Sequence, residues 1–238
     1  MKKLSFKIFI VLGVVAVLAL GFMFCPYFYI TTINVSGNGI VSYDEIVSSS
    51  ELNTGTSNLY MFNAFSAEKK LLKNPYIKSV EFIRTFPNTL EISVIERKPY
   101  GYIPYTNTFL FMDDEGRILD SKSSYTNPLP VVRGLNFSSF SIGEKLVVDP
   151  PEKLDIVVNL SKLMDTYQII DQVVNVDVSK IDDIHLHINN IDVVLGEFTD
   201  ENWKISALSE IIKKLSPDDK GILDISSKDG TPTFTYLT

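Results

Sequence analysis

Apolar and polar positions divide the chain into one long uncharged run and a body of short alternating segments. From Ile8 to Ile30, "IFIVLGVVAVLALGFMFCPYFYI", no residue is charged. A helix needs about 20 apolar residues to cross a bilayer, so the run predicts a transmembrane helix over 8–30 behind a tail of 1–7. Pro26 is expected to end or bend it, and Tyr27, Phe28 and Tyr29 fit an aromatic belt at the lipid–water boundary. Residues 31–41 read as a strand ending in the Gly37-Asn38-Gly39 turn. Ser42 with Glu45 has capping-box spacing and predicts a helix to about Leu52. A second helix is expected over 62–73, with Phe65, Leu71 and Leu72 as candidate buried positions and Asn74-Pro75 as its stop. Then comes a hairpin, "VEFIRTFPNTLEISVIERKP". Leu90, Ile92 and Val94 share one face of its second strand, and the turn is built on Pro87 and Asn88.

Beyond Tyr100 the alternation changes. "GYIPYTNTFLFMDDEGRILDSK" predicts strand, turn, strand around Asp113-Asp114-Glu115-Gly116, and "LPVVRG" a further strand. Asp149-Pro150-Pro151-Glu152 opens a helix with Asp149 as cap, its apolar face on Leu154, Val157, Leu160, Met164 and Tyr167. Residues 174–197 are alternating strand material. Thr199 caps another helix whose core face is Ile205, Leu208, Ile212 and Leu215, with Lys213 and Lys214 in its last turn and Pro217 as its end. The chain closes as two strands around Lys228-Asp229-Gly230. The fold class expected is α+β: one N-terminal transmembrane helix, a small β-α-α-β-β domain over 31–99, and a β-rich mixed α/β domain over 100–238.

Charge sets the direction of the anchor and excludes one partner class. Lys2, Lys3 and Lys7 precede the apolar run and the first acid is Asp44, so the N-terminus is placed in the cytoplasm and the body outside. The net charge is −7 overall, and the body is more acidic still because the basic residues of the tail are excluded from it. Nucleic-acid binding needs the opposite balance. A cleaved signal peptide with a cut after Ala19-Leu20-Gly21 is the rival to the anchor; the anchor is favoured because large apolar residues continue past that point. Cys25 is the single cysteine, so no intramolecular disulfide exists; it is an acylation candidate or a lipid-facing side chain.

Asn74-Pro75, the pair Val80 and Phe82, and "FPNTLEISVIERKP" together resemble the polypeptide-transport-associated (POTRA-type) domain of the FtsQ/DivIB cell-division family. "DDEGRIL" resembles a recurring turn of that family's second domain. The resemblance implies a bitopic scaffold at the division septum, with no catalytic, cofactor or metal site. The partners it implies are the small coiled-coil division proteins of the FtsB/DivIC and FtsL types and the septal peptidoglycan synthase. Through them such a protein acts on septal peptidoglycan synthesis.

The candidate chemistry is sparse. His185 and His187 share a strand face near Asp182 and Asp183, either as a metal pair or as two solvent-facing imidazoles. The "DDEG" stretch lacks the alternating ligands of a calcium loop and reads as a turn. Ser66–Lys69, "SAEK", matches a Ser-x-x-Lys nucleophile pattern without its companion motifs. Arg97, in Glu96-Arg97-Lys98, is either at a solvated strand end or a tie between domains. Two function classes follow. One is an interaction scaffold that pairs a partner strand with an open sheet edge at Thr233, Phe234, Thr235, Tyr236 and Leu237, aided by Trp203 and the helix to Leu215; for these five residues an inner strand is the other reading. The second class is a membrane-anchored cell-wall enzyme or ligand-binding module outside the cell.

Overall fold

The structure is a computed structural model that describes residues 10–15, 17, 21, 25–125, 128–216, 218–226 and 231–237. It divides into two compact units, 1–96 and 97–238. Of the predicted membrane span 8–30, residues 8, 9, 16, 18–20 and 22–24 lie outside the described residues. Among those described, no helix is long and apolar enough to cross a membrane.

The end of the apolar run differs from the expectation. Pro26–Phe28 is a single 3-10 turn; Phe28 is buried against Tyr60 and Phe86, and Ile30 is buried in the core of the first unit. These side chains therefore pack on protein, and the domain starts before residue 31. In chain order the unit runs β1 (Thr32–Ser36), α1 (Tyr43–Ser50), α2 (Ala64–Leu71), β2 (Ile77–Thr85) and β3 (Thr89–Glu96). β3 is the central strand, parallel to β1 and antiparallel to β2. Leu90, Ile92 and Val94 alternate into the core beside Ile33, Ile46 and Leu71, each buried side chain contributing about 1.5–3 kcal/mol.

Caps and faces of the two helices depart from the sequence expectation in detail. Ser42 accepts from the Glu45 N–H at 3.2 Å, but the Glu45 carboxylate accepts from the Asn74 amide at 2.7 Å instead of reaching back. The capping box is thus half made, and its second half fixes the end of α2. α2 itself is capped by Asn63, which accepts from the Ser66 N–H. Starting the helix there turns Ala67 and Leu71 to the sheet and leaves Phe65 and Leu72 exposed. At the end of β3 the Glu96 carboxylate accepts from three successive backbone N–H groups, those of Gly39, Ile40 and Val41, at 2.7–3.0 Å.

In the second unit, nine strands of the described residues form one sheet, in the order β12-β11-β10-β9-β8-β7-β4-β5-β6. The strands are β4 (Gly101–Tyr105), β5 (Thr108–Met112), β6 (Ile118–Lys122), β7 (Val131–Arg133), β8 (Val173–Asp177), β9 (Ile184–Ile188), β10 (Asn190–Gly196), β11 (Lys220–Asp224) and β12 (Thr233–Tyr236). The segment expected as one strand before "DDEG" is two, β4 and β5. They turn at Thr106, which takes a left-handed φ of 53°.

Two helices, α3 (Glu152–Thr166) and α4 (Glu201–Ile212), supply apolar side chains to the core of this sheet. Val157, Leu160 and Met164 of α3 and Ile205 and Leu208 of α4 pack there with Leu186, Val193 and Leu223. Neither helix has the expected side-chain cap. α3 follows Pro151, and α4 starts after Asp200, itself left-handed at φ 51°. Lys213 closes α4 as its C-cap rather than lying in its last turn, and Pro217 falls outside the described residues. Each helix also reaches the sheet ends through a buried lysine. Lys153 Nζ donates to the carbonyls of Gly134 and Ser179, and Lys204 Nζ to those of Leu195 and Glu197, all at 2.7–2.8 Å.

Candidate partner-binding edge

Residues 233–236 form the last strand of the nine-stranded sheet, not an inner one. β12 runs antiparallel to β11, with Gly221 opposite Tyr236, Ile222 opposite Thr235, Leu223 opposite Phe234 and Asp224 opposite Thr233. The Leu237 N–H donates to the Lys220 carbonyl at 3.0 Å. Antiparallel ladders alternate, so Thr233, Thr235 and Leu237 direct their backbone groups to β11. Those of Phe234 and Tyr236 then point outward, away from the sheet.

Side chains alternate the other way. Phe234 and Tyr236 lie on the helix-covered face, their rings edge to face at 4.7 Å, and Phe234 packs against the core. The seat for that ring is Gly221. A Cβ there would come within 2.4 Å of the Thr235 carbonyl oxygen and 2.7 Å of the Phe234 ring, so a side chain would lift β12 from the sheet. Tyr236 and Leu237 are largely exposed. Beside the edge, an apolar groove of about 130 Å³ opens between the C-terminal half of α4 and β9–β11. Its walls include Ile191, Val193, Leu208, Ile212, Leu215 and Leu223.

Thr233 to Leu237 are thus brought together on one strand. Trp203 is set apart from them. It sits in α4 two residues before the buried Ile205, is exposed, and makes no ring contact with Phe234 or Tyr236 among the described residues. The residues that sequence reasoning missed are Gly221 and Leu223. A glycine opening the strand "GILDI" was the available signal, since glycine inside a strand marks close approach of another chain segment. The turn expected at Lys228-Asp229-Gly230 lies outside the described residues.

The remaining chemical candidates resolve into structure. His185 Nδ1 lies 2.9 Å from Asp192 and its Nε2 3.1 Å from Asp183, so it is half-buried between two carboxylates rather than turned to solvent. Burial works against its protonation, but the hydrogen bonds and charges of Asp192 and Asp183 outweigh it and hold His185 above its ordinary value. No group of three or more metal-ligating side chains exists among the described residues. In "DDEG", Asp113 is fully buried and accepts from the N–H groups of Glu115 and Arg117 at 2.8 Å and from Arg97 at 2.7 Å. Arg97 also pairs with Glu115 at 2.7 Å, so it is not at a solvated strand end. Burial opposes its charge, and the bonds to Glu115 and Asp113 hold it raised nonetheless. Ser66 and Lys69 stand on α2 with Lys69 in solvent.

A three-stranded sheet with two helices in the order β-α-α-β-β, followed by a strand-rich unit, defines a class of two-part proteins built on a POTRA domain. The family described as "POTRA domain, FtsQ-type" matches residues 28–97, and its start coincides with the buried Phe28. The cell division protein DivIB of Clostridium acetobutylicum is 30% identical over 214 residues, spanning 88% of this chain and 84% of that protein. DivIB of Clostridium tetani is 24% identical over 213 residues, spanning 88% of this chain and 80% of the relative. DivIB of Bacillus subtilis is 25% identical over 219 residues, spanning 91% and 79%. The chain belongs to the DivIB family of cell-division proteins.

Proposed function

We propose that this protein is a single-pass membrane scaffold of the division septum. The uncharged run 8–30, up to the turn at Pro26, anchors it with the tail inside the cell and both folded units outside. It makes and breaks no covalent bonds. It holds small bitopic division proteins of the FtsB/DivIC and FtsL types and through them helps control septal peptidoglycan synthesis, with the synthase as a further neighbour. A segment of such a partner adds as a strand beside β12. Backbone bonds to Phe234 and Tyr236 supply affinity, and alternate side chains meeting Tyr236 and the groove under α4 supply choice.

One observation carries the reading: β12 is a sheet border with no charged residue and exposed aromatic and aliphatic side chains. Proteins normally blunt such borders, because they pair with any strand that reaches them. Deleting residues 229–238 from the full-length protein tests it. The expected result is loss of co-purification with the small division proteins and no change in wall-hydrolysing activity. Retained co-purification would discard the β12 site, and a wall-cleaving activity that vanished with the deletion would favour the enzyme reading.

A further inference from the structure

Three segments without a charged residue meet at one end of the first unit. They are Cys25–Thr31, which continues the uncharged run, Leu52–Ala67, and the hairpin tip Thr85–Leu90. Backbone bonds draw them together. Leu59 N–H donates to the Phe28 carbonyl and Ile30 N–H to that of Ser57, both at 2.8 Å, and Thr31 N–H to that of Asn88 at 2.9 Å. The aromatic residues they carry form one cluster. Phe28 lies at the centre, with ring centroids 5.7 Å from Tyr27, 5.4 Å from Tyr60 and 6.1 Å from Phe86, and Tyr27 lies 6.1 Å from Phe86. Phe28 is covered, but Tyr27, Tyr60 and Phe86 are 57%, 41% and 64% exposed, and Met61 47%.

Single exposed apolar side chains are ordinary, but a contiguous group with no charge among its segments marks a surface that is covered by something. What covers this one follows from its position. Tyr27 itself lies within the uncharged run Ile8–Ile30, three residues from its end. Tyrosine and phenylalanine suit the lipid–water boundary, tyrosine through an apolar ring with a polar tip. Along the hairpin the nearest charges to the tip are Arg84 and Glu91. Arg84 donates to the Leu59 carbonyl at 2.9 Å and stacks 4.7 Å over Phe62.

We infer that this end of the POTRA domain is immersed in the boundary region of the outer leaflet, with Phe86 and Tyr27 in contact with lipid. The domain rests on the membrane rather than hanging from it. This rests on the anchored topology proposed above, and the test separates the two. The full-length protein, carrying Trp203→Phe, is reconstituted in phosphatidylethanolamine–phosphatidylglycerol vesicles containing brominated lipid. Single tryptophans are introduced as Phe86→Trp, Tyr27→Trp, Ile95→Trp and Val17→Trp. Ile95 is exposed at the opposite end of β3, six residues and about 20 Å from Thr89.

The expected result is a blue-shifted emission and loss of intensity for Phe86→Trp and Tyr27→Trp, a larger loss for Val17→Trp, and none for Ile95→Trp. Either of the two tip variants suffices if the other fails to fold. Quenching of Val17→Trp with both tip variants unquenched overturns the inference and leaves the anchor standing; a blue shift at the tip that needs an added division protein overturns it in the same way. With none quenched, inference and anchor fall together.

Discussion

The two borders of the nine-stranded sheet are built to opposite rules. β6 carries Asp120 and Lys122, which pair at 3.0 Å, and Lys122 lies 5.2 Å over the ring of Phe111. Its pairing with β5 slips between Phe111 and Met112, a bulge. The segment around Gly143–Lys145 further closes the start of β6, Ile118 N–H donating to Glu144 and Gly143 N–H to Ile118. Charge, irregularity and cover are three of the standard protections of a strand edge. β12 has none of these among the described residues; only its shortness limits unwanted pairing. The contrast between a protected border and a bare one is the physical content of the proposed scaffold role.

The comparison can be broken at several points. The largest expected effect is from Tyr236→Pro, which removes an outward N–H without taking a bond from β11. Affinity for the extracellular segment of a partner should fall tenfold or more, at least about 1.4 kcal/mol by titration calorimetry. Ser121→Pro on β6 should leave that affinity unchanged, and an equal loss from both would erase the distinction between the borders. Next is Gly221→Ala. Crowding the Phe234 ring and the Thr235 carbonyl should cost about 1–3 kcal/mol and release β12, seen as faster amide exchange at Thr233, Thr235 and Leu237.

Smaller still is the effect of Asp120→Val with Lys122→Val. Losing one surface ion pair should change stability by about 0–1 kcal/mol. Exposing a second bare border should nonetheless give concentration-dependent self-association in sedimentation velocity. The smallest effect is on pH dependence between the two borders. His185, facing Asp177, Asp183, Asp192 and His187, is held above its ordinary value. Its stabilisation is therefore fully present below the unfolded value of about 6.5 and is lost as pH rises through the raised folded one. Thermal melts from about pH 5 to about pH 8 should show that slope, and Asp192→Asn should flatten it.

What the sequence made legible was local. Alternation in "TLEISV" announced the central strand of the first unit, and the steps of three, three and four residues along Leu154, Val157, Leu160 and Met164 announced α3. Ser42 was legible as a cap because the bond it makes is three residues away. The partner of Glu45 was not, because Asn74 is distant along the chain. The same limit explains Phe65, whose burial depended on where α2 begins, and Phe28 and Ile30, whose apolar character suits lipid and protein core equally. At the candidate site, the uncharged run "TFTYL" could be read as a strand. Its place at a sheet border could not, since that depends on β11 choosing β10 as its parallel neighbour across the whole of α4.

The two helix lysines of the second unit have a practical consequence. Lys153 and Lys204 are nearly inaccessible, each ammonium enclosed by carbonyl oxygens, and burial pushes Lys204 down against the pull of Asp200, Glu197 and Glu201. With both units outside the cell, as proposed, an amine-acylating reagent applied to intact cells should modify exposed lysines such as Lys69 and spare these two for as long as α3 and α4 stay seated. Peptide mass spectrometry of that pattern would then report the folded state of the unit in its own envelope, where calorimetry and circular dichroism have no access.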